Sequence, residues 1–200
     1  MLGIALLLGG AFAVPFYYET QTLWYKVGSD KILLRAGQLA GMLTLVLLML
    51  QIIVAQRASF LENLFGSANL MRWHRRNGVG IACMAMSHVA LVLVPEGLNN
   101  LPIGKKYWPE MIGEFLFLLI LITVISSRFR PLLKLDYPSW RILHRTLGYL
   151  APVLVFLHVF FVSESFTHTF SRTLLLTIFA GLALFTGVVQ ITRWGRNHEK

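Results

Sequence analysis

Apolar runs close to the thickness of a lipid bilayer recur along this chain and leave little room for anything else. A spanning helix needs about 20 predominantly apolar residues. Six segments of that kind, at about 2–18, 36–55, 74–94, 111–127, 140–162 and 173–192, take up most of the 200 residues. Charged residues make up 14% of the sequence and hydrophobic ones 56%, whereas an ordinary soluble domain is about 25% charged. The expectation is one domain over 1–200, an all-α integral membrane protein built as a six-helix transmembrane bundle. The shorter runs end in Trp, Tyr or Arg, residues suited to the membrane interface. The first run, MLGIALLLGGAFAVPFYY, contains an Ala11-Phe12-Ala13 pattern like a cleavage site but lacks the positive start of a signal peptide. It reads as a retained helix.

The net charge of +9 is not a nucleic-acid signal. Lys and Arg collect in cytoplasmic loops of membrane proteins. Twelve of the 18 lie after the second and fourth runs or in the tail, among them Arg57, Arg72, Arg75, Arg76, Arg141 and Arg145, and six lie on the other side. Both termini are therefore expected in the cytoplasm. The segment 58–72 carries Phe60, Leu61, Leu64 and Phe65 at the spacing of a short amphipathic surface helix. Pro152 falls inside the fifth run and predicts a kink there. Cys83 is the one cysteine; it excludes an internal disulfide and is expected to pack within its helix. No CxxCH occurs, so covalent c-type haem is not indicated.

Two of the runs match. RWHRRNGVGIACMAMSHVALVLV carries His74 and His88, and WRILHRTLGYLAPVLVFLHVFFV carries His144 and His158. Both intervals are 14 residues, about 3.9 helical turns, so each pair shares a helix face and is separated by about 21 Å along it. One histidine in a membrane helix can simply bond a neighbouring carbonyl. Four that repeat one interval on two helices point instead to a shared task, because intramembrane polar groups are costly. Both helices start on the side read as cytoplasmic. His74 and His144 then fall at one inner depth, and His88 and His158 at one outer depth. Two facing pairs at two depths suit two stacked haems, with His74 and His144 on the inner iron and His88 and His158 on the outer. Arg75, Arg76 and Arg145, with Arg72, flank the inner pair and are candidates for the haem propionates. They serve equally as ordinary positive-inside residues. His168 and His198 stand outside the interval and are not assigned to iron. Lys105, Lys106, His168 and Arg172 lie on the other side and read as loop solvation.

The stretch SSRFRPLLKLDYPSWRILHRTLGYLAPVLVFLHVF, with its Trp140-Arg141, Leu143-His144-Arg145 and Tyr149 pattern followed by His158, resembles the ferric-reductase-like transmembrane domain. RWHRRNGVGIACMAMSH resembles that domain's other histidine helix. The superfamily takes in ferric reductases, the haem core of NADPH oxidases and the membrane haem partner of bacterial periplasmic methionine sulfoxide reductase. The resemblance implies two haem b groups held by His74, His88, His144 and His158, in a bacterial inner or plasma membrane. It also implies an oxidoreductase component. No GxGxxG occurs in these residues, so the reductant is expected to come from a separate cytoplasmic flavoprotein reductase or from quinol. A flavin or quinone bound to the chain is implied at fold level only. The acceptor, a protein or a small molecule, lies on the outer side. Two other readings stay open: a quinol-oxidising cytochrome b anchor of a multi-subunit oxidoreductase, and a non-redox transporter or scaffold.

Overall fold

A computed structural model describes residues 9–10, 13–97 and 101–198. Its regular elements are helical: α1 Gln21–Trp24, α2 Gly28–Gln56, α3 Ser59–Phe65, α4 Ser67–Glu96, α5 Trp108–Arg128, α6 Tyr137–Val162 and α7 Thr169–His198, with single 3₁₀ turns at Lys105–Tyr107 and Glu164–Phe166. Among the described residues there are no strands. Among the described residues, five segments are long and apolar enough to cross a membrane. Helices are the expected solution in lipid, where the backbone must satisfy its hydrogen bonds within one segment. The expected first span falls largely on residues 1–8 and 11–12, outside the described ones; of it, residues 13–17 are helical.

Helix ends lie where local chemistry puts them. Arg57 at φ 46° closes α2, and the glycines Gly66 at 76° and Gly97 at 78° close α3 and α4, positive values at which glycine pays no steric penalty. Asp136 caps α6, its carboxylate accepting from the Ser139 amide at 3.0 Å. Pro109 and Pro138 sit in the first turns of α5 and α6, where a missing N–H costs nothing. The short helix expected in 58–72 is present as α3. The rest of that segment is corrected: α4 already begins at Ser67, so His74 lies two turns inside it. Hydropathy marks only the part of a helix that enters lipid, and the Arg-bearing turns before it stay helical. For the same reason α2 starts at Gly28 rather than 36. Helix α6 continues through Pro152. Cys83 is exposed on α4 rather than packed in the core.

The bundle is built from two antiparallel hairpins. Helix α4 packs along α2, and α6 along α5, far more than α4 packs on α6. Leu45, Leu48, Ile81, Ala82, Ala85, Leu116, Ile120 and Val155 fill the centre between the hairpins. Outward faces stay apolar: Ile142 is 69% exposed, Leu184 70% and Ile191 70%. Such surface suits acyl chains and would be a liability in water.

Candidate functional site

The structure brings the four helical histidines together in the expected combinations. His74 on α4 faces His144 on α6, with ring centres 6.0 Å apart and planes at 71°. His88 faces His158 at 6.5 Å and 74°. A metal held between two imidazole nitrogens at about 2 Å each separates the ring centres by roughly 6 Å. Both pairs stand close to that separation. The limited packing of α4 on α6 leaves these rings, rather than backbone, facing across the gap. Among the described residues no group of three or more His, Cys, Asp or Glu could hold a metal ion. Among the described residues each level thus offers two imidazoles and no third ligand of those types, a donor set that would suit a group bringing its own equatorial ligands, such as a porphyrin.

Hydrogen bonds fix which nitrogen is free. His88 Nδ1 donates to the Gly37 carbonyl at 2.8 Å, and His158 Nδ1 donates to the Pro109 carbonyl at 3.2 Å. A carbonyl only accepts, so each Nδ1 carries the proton and each Nε2 keeps its lone pair. His144 reaches the same state through Ser127. The Ser127 hydroxyl donates to the Thr123 carbonyl at 2.6 Å. Its oxygen accepts from Trp140 Nε1 at 3.2 Å and from His144 Nδ1 at 3.1 Å. The indole of Trp140 also stacks on the His144 ring, 5.2 Å between centres. A metal-binding histidine ordinarily has its second nitrogen tied in this way. His74 is the exception: its Nδ1 is buried without a partner among the described residues. Its backbone is held instead, the carbonyl accepting from Gln51 Nε2 at 2.9 Å. Asn77 donates to the same Gln51 side chain at 2.9 Å and to the Leu47 carbonyl at 2.8 Å.

Arg75, Arg76 and Arg145 are exposed beside the inner pair, and none forms an ion pair among the described residues. Arg72 donates to Asn69. At the other end His168 packs on Tyr18, 4.7 Å between ring centres, and Arg172 lies 4.4 Å over Phe160. Both are engaged away from the histidine pairs. Lys105 and Lys106 stay exposed.

Sequence reasoning passed over Gln51, Asn77, Thr123, Ser127, Gly41 and Gly113. The available signal was polarity out of place: Gln51 interrupts LLMLQIIVA and Ser127 ends an apolar run. Nothing in a linear pattern says which histidine such a residue meets.

Comparison with known proteins finds a likeness over part of the chain. No curated protein and no solved structure matches. The profile of a family described as ferric reductase like transmembrane component matches residues 40–130, from α2 through α5. That stretch, which includes His74 and His88 and ends before His144 and His158, is what the chain shares with this family.

Proposed function

We propose that the protein is a di-haem b-type cytochrome that carries electrons across the membrane. A ferric-reductase-like domain implies transmembrane electron transfer in general. The finer reading is supported by one geometric relation: two imidazole pairs, at 6.0 Å and 6.5 Å between ring centres, spaced about 21 Å apart by the helical rise. His74 and His144 would hold the inner haem, His88 and His158 the outer. A haem held by two imidazoles supplies one-electron transfer with no open coordination position. The chain's residues do the rest. Gly37, Pro109 and Ser127 keep three imidazoles in the tautomer that offers Nε2. The core of Ile81, Ala82, Ala85, Leu116, Ile120 and Val155 keeps water from the space between the levels. Arg75, Arg76 and Arg145 offer cations to propionates at the arginine-rich end, which we place in the cytoplasm. That apolar core argues against a polar conduction path, the transporter reading. The donor is a separate flavoprotein reductase or quinol, and the acceptor lies outside.

The test is the reduced-minus-oxidised absorption spectrum of the purified protein with its haem content per chain. Two b-type haems per chain are expected; absence of b-type bands would sink the reading. Reduction by a quinol analogue, set against reduction by NAD(P)H with a flavin reductase, separates the two donors.

A further inference from the structure

We propose that Gly41 and Gly113 are positioning residues for the outer haem, each completing a clamp that fixes the ring of one outer histidine. The inference rests on the haem reading above and goes beyond ligand assignment.

The two hairpins build the same device. On α2 the Gly37 carbonyl takes the Nδ1 proton of His88, and four residues on, Gly41 lies under the ring: a Cβ there would stand 2.9 Å from both Cε1 and Nδ1. On α5 the Pro109 carbonyl takes the Nδ1 proton of His158, and four residues on, Gly113 lies under that ring. A Cβ there would stand 2.6 Å from Nδ1 and 3.0 Å from Nε2, and closer still to Cε1. Real Cβ atoms essentially never come within 3.0 Å of such neighbours. Each imidazole is therefore pinned at its edge by a carbonyl and seated on bare backbone one turn along.

Other glycines lack this relation. Gly37 meets the side chains of Val92 and Leu91, as a packing glycine does, and Gly148, Gly181 and Gly187 have open space where a Cβ would go. The inner pair has no such seat either: His144 is held by a hydroxyl and His74 Nδ1 by no described residue. The clamp belongs to the outer level alone. A methyl group at Gly41 or Gly113 must push the ring off its carbonyl, turning or withdrawing the Nε2 that the iron needs.

The experiment uses full-length Gly41→Ala and Gly113→Ala, with Gly148→Ala as control. Haem content per chain and the low-temperature EPR spectrum of the ferric protein are recorded, the outer signal being assigned as the one lost in His88→Ala. The expected result is a fall from two haems toward one, or two haems with the outer signal displaced. The inner signal stays unchanged, and the change is larger for Gly113→Ala. Unaltered signals in both variants would overturn the clamp, as would equal loss of both haems in Gly41→Ala, the milder overlap, or the same change in Gly148→Ala. Wild-type protein without haem would remove the cytochrome reading and the clamp together. Two haems in the wild type with unaltered variants would remove the clamp alone.

Discussion

His88 and His158 face each other from separate hairpins with ring centres 6.5 Å apart, and each rests its Nδ1 on a carbonyl of its own hairpin partner. The pairing therefore joins two units that are each internally fixed. It predicts a level-specific loss. His88→Ala and His158→Ala should each lower the haem content from two per chain to one, and the double variant should lower it no further. His74→Ala and His144→Ala should behave the same way for the other haem. Pyridine haemochrome assay of the six proteins checks this. Retention of two haems in His88→Ala/His158→Ala would contradict the pairing.

Gln51 ties α2 to α4 at the level of His74, through the His74 carbonyl and the Asn77 side chain. Gln51→Leu keeps the volume and removes both links. Interhelical hydrogen bonds in membrane proteins average about 0.6 kcal/mol and reach about 1.7, so a loss within that range is expected. Thermal unfolding in detergent measures it. Asn77→Leu added to Gln51→Leu should cost less than the two single changes together, because they share one network.

How much of this was legible in the sequence differs by level. Apolar runs announced the spans, because lipid makes length and polarity almost the whole criterion. The 14-residue histidine interval announced the two depths, because helical rise is fixed. Helix ends were misjudged at Gly28 and Ser67, since a helix that leaves the bilayer keeps its hydrogen bonds while losing its hydropathy. Gly41, Gly113 and Ser127 were not legible: their meaning is set by the register between antiparallel helices, which no single run contains. The interval itself held a clue. Ser127 stands 14 residues beyond Gly113, as His158 stands beyond His144, which is what an antiparallel pair in constant register requires.

Asp136 gives the extramembrane end of α6 a dependence on pH. The Ser139 amide first, and its side chain second, hold the Asp136 carboxyl below its usual range. A carboxylate depressed on folding stabilises the folded state above the unfolded pKa, about 3.9, and that contribution fades as pH falls through the lower folded value. Asn caps a helix about as well and does not titrate. The acid-side fall in melting temperature should therefore be steeper for the wild type than for Asp136→Asn, with the two converging near neutral pH. Parallel curves from pH 7 to 3 would remove the cap from the account.

Ser127 is the most informative single substitution at the inner level. Its hydroxyl spends its one proton on the Thr123 carbonyl and accepts from both Trp140 and His144, so it orients the imidazole and the indole stacked on it. Ser127→Ala removes the acceptor for both. Loss of such a partner behind a metal ligand typically weakens binding 10- to 100-fold. Haem titration of apoprotein should show that loss for the inner haem alone, with the outer one unchanged. Ser127→Thr, which keeps the hydroxyl, should restore most of the affinity, which a purely steric role for the serine would not allow. Trp140→Phe keeps the stack and drops the indole N–H; it should leave the inner affinity close to wild type, because His144 retains its own bond to Ser127. Equal weakening in Trp140→Phe and Ser127→Ala would instead assign the effect to the indole.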